Sequence, residues 1–203
     1  MSARAASTIG KDEKIPPRAR ILAAAAELFY RHGIRAVGVE AIADAAGTNK
    51  MTLYRHFPSK DELVAEYLRQ SAKTQDAYWE RLNQQHLGDP LGQLRGWLKD
   101  MADHVDNRTQ RGCALANAAI ELPEPGHPAR RVIEDYKRAQ RERLAALCRA
   151  ADLSEPEMLA DELQLALEGA RVMAQSVSRE GLGLRLLRMG DALIAAHARV
   201  ERA

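Results

Sequence analysis

The segment from Lys50 to Lys60 concentrates side chains that donate hydrogen bonds or carry positive charge: Lys50, Thr52, Tyr54, Arg55, His56 and Lys60, with Met51 among them. Donors of this kind match phosphate oxygens, which position a protein on a duplex without reading its sequence. Thr52, Tyr54 and His56 fit that role. Lys50 and Arg55 can donate either to phosphate or to guanine O6 and N7, Arg55 bidentately, and the spacing alone leaves the two open. Met51 can lay its thioether chain on a thymine methyl. Lys60 would act on a phosphate as a point charge at a helix start. A solvated polar face would show the same residue types. What tells against it is the helical pattern that flanks the segment; Leu53 and Phe57, whose spacing turns them inward with Leu28, Phe29 and Ile42, are core and not contacts.

The surrounding elements give these side chains a platform. Pro16 and Pro17 can open a helix, because a first-turn proline forfeits no needed N–H. Ile21, Leu22, Ala25, Leu28 and Phe29 then recur at helical spacing until Gly33 ends the run. Val39 to Ala46 forms a second helix, and Gly47 permits a tight turn. Asn49 is placed to cap a third, short helix from Lys50 to about Phe57, closed by Pro58. Two helices joined by such a turn, the second short and rich in donors, form a helix-turn-helix.

Ser59-Lys60-Asp61-Glu62 has the capping-box pattern, so a fourth, long helix starts at Ser59 and runs towards Gln85. Further helices are predicted from Asp89-Pro90 to about Asn107, from Cys113 to Glu121, from Ala129 to Ala151 and from Leu184 to about Val200. Ser154-Glu155-Pro156-Glu157, again of S-x-x-E form, opens another that reaches Glu180, with Gly181 and Gly183 as separators. The proline-rich stretch 123–128 is a loop. No strand pattern or internal repeat is evident, and the fold class is all-α: an N-terminal three-helix head and a C-terminal helical body.

The 203 residues, 46% of them hydrophobic, suffice for one ordinary domain and a small one. Net charge is +2, distributed as +3 over residues 1–65 and −1 over the rest, so the basic excess accompanies the helix-turn-helix. Cys113 and Cys148 have no paired spacing, which offers neither a disulfide framework nor a zinc site. No export signal or membrane span is read, and a cytoplasmic location is expected. Residues 1–14 read as a flexible arm whose Arg4, Lys11 and Lys14 could touch phosphates.

The pattern Ile21-Leu22-x-Ala24-Ala25-x-x-Leu28-Phe29, Gly33, Ile42-Ala43-x-x-Ala46-Gly47, Thr52-Leu53-Tyr54-x-His56-Phe57-Pro58-Ser59-Lys60 resembles the TetR/AcrR family of transcriptional regulators. The resemblance implies a DNA-binding head at 15–60 and a domain at 61–203 that binds a small-molecule effector and dimerises. It further implies a homodimeric repressor on a double-stranded, palindromic DNA operator, released when the effector binds. Two positions depart from the family pattern. Gly38 stands where Ser or Thr usually caps the second helix and touches phosphate, and Met51 stands where a glycine often approaches the bases.

In the body, Trp97, Met101, Cys113, Asn117, Glu121, Tyr136, Glu168 and Met173 are the unusual residues in Leu/Ala-rich helices and the candidates to line an effector site. Each has ordinary packing as its alternative. Cys113, after Arg111-Gly112 at a helix start, has the setting of a reactive cysteine. The stretch Gly112-Cys113-x-x-x-Asn117 resembles the branch of the family that includes N-ethylmaleimide-sensing repressors, implying an electrophile sensor, with a buried structural thiol as the alternative. Leu163, Leu167, Ala170 and Ala174, with Leu184, Leu187, Leu193 and Ile194, suggest a dimer through the last two helices, where Gly169, Ala170 and Gly190 allow close approach.

Other functions must be weighed. His104, His127, Asp103 and Glu121 could furnish acid–base chemistry, but no nucleophile motif, phosphate loop or metal-ligand spacing accompanies them, and neither an enzyme nor a cofactor is expected. A body that binds another protein would make the chain a DNA-binding co-regulator.

Overall fold

The computed structural model describes residues 15–109 and 111–199. The expected arm at 1–14 and the end of the last helix at Val200 lie outside them. Among the described residues there are helices and no strands: α1 Pro17–His32, α2 Val39–Ala45, α3 Lys50–His56, α4 Lys60–Gln85, α5 Pro90–Asp106, α6 Ala114–Glu121, α7 Pro128–Ala150, α8 Pro156–Ser176 and α9 Leu182–Ala196.

Local chemistry sets several of the helix starts. Asn49 Oδ1 accepts the Thr52 N–H at 2.9 Å, Ser59 Oγ accepts that of Glu62 at 3.1 Å, and Asp89 Oδ1 accepts that of Gly92 at 2.8 Å. Each satisfies an amide that the first helical turn leaves without a partner. Gly47, at φ +59°, makes the turn between α2 and α3.

The start of α8 differs from expectation. Glu155, not Ser154, is the N-cap; it sits in the left-handed region at φ +45° and its side chain makes no cap bond. Ser154 is instead bound to the end of α9: its N–H and its hydroxyl both donate to the His197 carbonyl, at 2.8 and 3.0 Å, and its own carbonyl lies 2.8 Å from His197 Nδ1. A tertiary partner for Ser154 has displaced the local capping box, at the cost of a left-handed Glu155 of roughly 1 kcal/mol. α8 also stops at Ser176, short of Glu180, and Gly183 lies inside α9 rather than before it. A Cβ on Gly183 would meet the Ala102 carbonyl at 2.6 Å, so this glycine lets α9 pack close on α5.

Two apolar clusters organise the chain. The first joins α1, α2, α3 and the first half of α4 through Ile21, Phe29, Ile42, Leu53, Phe57 and Leu63, and continues into α6 and α7 through Leu115, Leu122 and Ile133. The second joins the far half of α4 with α5, α7, α8 and α9, around Trp79, Trp97, Leu144 and Leu163. α4 belongs to both. No described helix is long and apolar enough to cross a membrane.

Candidate functional site

α3 is short, yet its register separates two faces cleanly. Leu53 is 0% exposed and Phe57 is buried beside it, while Met51 is 75% exposed and Lys50, Tyr54, Arg55 and His56 face solvent. Burying a Leu or Phe side chain contributes roughly 1.5–3 kcal/mol, which fixes α3 rotationally against α1 and α2 and so fixes what it presents outward. Arg18 adds to this: its guanidinium lies 5.0 Å from the centroid of the Phe57 ring and its Nη2 donates to Glu66 at 3.0 Å. The presented face carries Lys50, whose Nζ meets Glu40 Oε1 at 2.6 Å, and Arg55, whose Nη2 reaches the Thr52 hydroxyl at 3.5 Å. Gly38 caps α2 with extended backbone and no side-chain bond.

Lys60 is placed differently from its companions. Its ammonium lies 6.0 Å from the centroid of the Phe29 ring, at the junction of head and body, and burial holds its pKa below the usual lysine value, with Asp61 and Glu121 opposing. That junction is held by polar bonds from α6 and its flanks. Glu121 Oε2 accepts the Arg35 N–H at 3.0 Å. The Tyr30 hydroxyl accepts the Arg111 N–H at 2.8 Å and donates to the Gly112 carbonyl at 3.3 Å. Arg111 reaches back to the carbonyls of Tyr30 and Arg31, and Arg35 pairs with Glu124 at 3.2 Å. Gly33 permits the approach: at φ +85° it suits no L side chain, and a Cβ there would stand 3.1 Å from Glu121 Oε2.

Behind this junction lies a cavity of about 310 Å³ between α1, α4, α5, α6, α7 and α8. Three of the expected effector residues converge on it: Met101, Cys113 and Tyr136. Tyr30, Tyr67, Ser71, Thr74, Gln75, His104 and Arg171 complete its polar wall. Burial raises the Tyr67 phenol to about 12 and pushes Tyr136 higher, Cys113 contributing to the latter, so both stay neutral donors. Burial, then the Arg171 and Arg179 charges, depress His104. A second, outer groove of about 460 Å³ shares Cys113 and Arg171 and is lined by Asn117 and Glu168. There Asn117 Nδ2 donates to the Arg111 carbonyl at 2.8 Å, and Glu168 meets Lys137 at 2.5 Å and Arg171 at 2.8 Å. Burial alone would raise the Glu168 pKa, but Arg171 and Lys137 outweigh it and leave it lowered.

The remaining expected effector residues lie elsewhere. Trp97 is core, stacked on Trp79 with centroids 6.4 Å apart; Glu121 is at the head junction; Met173 is on the exposed side of α8. Tyr30, Tyr67, His104 and Arg171 were not among the expected residues. Arg171 had a sequence signal, since it interrupts the apolar stripe Leu163, Leu167, Ala170, Ala174, where a charge must find a use. Tyr30 and Arg111, far apart in sequence, had none.

The apolar surface of the last two helices is also different from that expected. Leu163, Leu167, Ala170 and Ile194 point into the chain's own core, Leu163 at 1% exposure, because α8 and α9 pack against α5 and α7 along that stripe. Gly190 belongs to the same packing, since a Cβ there would clash with Leu98 at 2.3 Å. The outward apolar residues include Met158, Leu165, Val172 and Met173 on α8, with Leu165 72% exposed, and Leu184 and Met189 on α9. Gly169 opens onto empty space on that outer face.

A family model described as bacterial regulatory proteins, tetR family, matches residues 21–67, which cover α1, α2, α3 and the start of α4. The HTH-type transcriptional regulator YjdC of Escherichia coli is 24% identical over 152 residues, 75% of this chain and 80% of its own length. The HTH-type transcriptional repressor KstR2 of Rhodococcus jostii is 46% identical over 118 residues, 58% of this chain and 48% of its own. Among solved structures, SCO4454, a TetR-family transcriptional regulator from Streptomyces coelicolor, superposes with a TM-score of 0.83 at 26% identity, over 90% of this chain and 96% of that one.

Proposed function

Since this chain belongs to the TetR/AcrR family of transcriptional regulators, we propose that it is a homodimeric repressor, released from a palindromic operator when a small molecule occupies the cavity behind α6. The observation that carries the DNA-reading part is the two-faced α3, with Leu53 and Phe57 fully inward and Met51, Tyr54 and Arg55 outward. In this reading residues 15–60 form the head and 61–203 the body. Thr52, Tyr54 and His56 hold phosphates, Met51 touches a base, Lys50 and Arg55 reach bases or phosphates, and Lys60 swings from the Phe29 ring onto the DNA backbone.

Dimerisation uses the outer residues Met158, Leu165 and Val172 of α8 and Leu184 and Met189 of α9, which form an apolar surface of the kind a partner subunit covers. A two-fold axis there sets two α3 helices about 34–36 Å apart, or a multiple, matching successive turns of a DNA groove. The effector acts by favouring a body conformation in which α6 and its N-terminal flank, holding the head through Glu121 and through the bonds of Arg111 and Gly112 to Tyr30, and α4, shared by both clusters, change the separation of the heads. Titration of a fluorescent operator with wild-type protein and Arg55→Ala tests the DNA part. A loss of tenfold or more in affinity is expected, and equal affinity contradicts it.

A second reading has its own observation. Cys113 is the N-cap of α6, half-buried, and borders both the cavity and the outer groove, whereas Cys148 is buried with its thiol pushed up to about 11. An electrophile adding to Cys113 would act at the same place as an effector. Cys113→Ser should then abolish release from DNA by N-ethylmaleimide; release that survives the change eliminates the sensor.

A further inference from the structure

Arg171 is 8% exposed and borders the cavity behind α6. Its five donors are used unevenly. Among the described residues, Nη1 donates to Glu168 Oε1 at 2.8 Å, Nη2 has only the Met101 thioether at 3.7 Å, and the buried Nε has no hydrogen-bond partner. Nε and Nη2 together form the side-on fork of a guanidinium, the edge whose two parallel N–H bonds match a carboxylate. Here that fork lies against a sulfur, a weak acceptor on a flexible chain.

The charges around it are also unbalanced. Arg171 and Lys137 share a single acid, Glu168, and no carboxylate lines the cavity among the described residues. Burial and the Arg171 charge disfavour protonation of His104 on the same wall. A buried cation with one compensating charge shared between two is a costly arrangement that a ligand anion would relieve. The rest of the wall is uncharged: apolar at Met101, Leu115 and the rings of Tyr67 and Tyr136, and polar along α4 at Ser71 and Thr74. A volume of about 310 Å³ is at the small end for ligand cavities, which span roughly 300–1,000 Å³.

From these contacts we infer that the effector is a small organic acid, its carboxylate displacing the Met101 thioether to take the Nε–Nη2 fork of Arg171, with a short apolar or aromatic body against Leu115 and the tyrosine rings. This rests on the proposed role of the cavity as the effector site. It specifies the chemistry such a ligand must have, and it excludes cations, which Arg171 would repel.

The test is calorimetric titration of the full-length protein with phenylacetate, 3-phenylpropionate and hexanoate, each against its neutral amide. At least one acid should bind once per subunit and tenfold or more tighter than its amide. Arg171→Met should erase that preference, and Arg171→Lys, which keeps the charge without the fork, should retain part of it. Melting curves without ligand establish that each variant is folded, and Arg171→Lys carries the test if Arg171→Met is not. Absence of binding by every acid, or a preference that survives Arg171→Met, overturns the inference. Amides that bind as tightly as acids, and lose binding when Thr74→Trp fills the cavity, overturn the anion while leaving the effector site standing. Acids that bind through Arg171 without altering operator affinity establish the anion site and overturn the effector reading instead.

Discussion

The Glu121 carboxylate on α6 accepts the backbone N–H of Arg35 at 3.0 Å, so a side chain of the body holds a peptide of the head, 86 residues away in sequence. The same helix is capped by Cys113, on the cavity wall, so in the proposed mechanism a displacement at one end of α6 would reach the head at the other. Hydrogen bonds to charged groups contribute about 1.5–3 kcal/mol, less where the carboxylate is partly solvated as here. Glu121→Ala should therefore cost about 1 kcal/mol of stability, a fall in Tm of roughly 2–4 °C. Operator affinity without effector should change little, while the loss of affinity on adding effector should shrink several-fold. Full effector response in Glu121→Ala would show that α6 does not carry the signal to the head.

On the surface proposed to face DNA, Glu40 neutralises Lys50 across 2.6 Å. Both groups are exposed, so the pair itself adds little to stability, but it places a carboxylate where DNA phosphates would come. Glu40→Gln should tighten operator binding at low salt, the gain fading as salt rises. Lys60→Ala should weaken binding and lower the slope of log affinity against log salt by about one unit, as for any single phosphate contact. Tyr54→Phe should weaken it with the slope unchanged. Affinities measured from low to moderate salt separate the three, and unaltered binding in both Lys60→Ala and Tyr54→Phe removes the contact assignment.

His104 predicts an acid sensitivity. Burial, with Arg171 and Arg179, lowers its pKa in the folded chain below the unfolded value of about 6.5. The unfolded state therefore binds the proton more readily, and stability held above pH 6.5 is lost as pH falls from there through the folded pKa. Tm measured between pH 7.5 and 5.5 should fall more steeply in the wild type than in His104→Gln, which cannot take up the proton. Parallel curves would show that His104 is not the group responsible.

The outer face of α8 offers a further check. Leu165→Glu with Val172→Glu should convert a dimer to a monomer in sedimentation equilibrium while leaving the fold intact by circular dichroism. Leu163→Ala, deep in the core, should instead cost about 2–5 kcal/mol without changing the association. Dimers that persist in the double variant place the interface elsewhere.

The contrast between Leu163 and Leu165 also shows where sequence reasoning stops. Caps are local, so Asn49, Ser59 and Asp89 announced the starts of α3, α4 and α5, and the period of Leu53 and Phe57 fixed the inward face of α3. An apolar stripe on a helix, however, says only that it is covered, not whether by its own chain or by a second copy, and Leu163, Leu167 and Ile194 are covered by α5 and α7. Ser154 failed as a cap because His197, distant in sequence, competed for it. The same limit hid Tyr30, whose partners Arg111 and Gly112 are brought to it only by folding. Arg171 was legible in principle, as a charge on a buried stripe. Its partner Glu168 was singled out, but the under-used fork beside Met101 could be recognised only from geometry.

The central claim is that two copies of α3 read a symmetric DNA site, and selection from random-sequence duplexes by the purified full-length chain, with non-specific competitor present, tests it most directly. The account predicts enrichment of an inverted repeat whose half-sites are about one helical turn or a multiple apart, bound by an even number of subunits and weakened by Arg55→Ala. Enrichment of no sequence, or binding that competitor removes equally from wild type and Arg55→Ala, would contradict it.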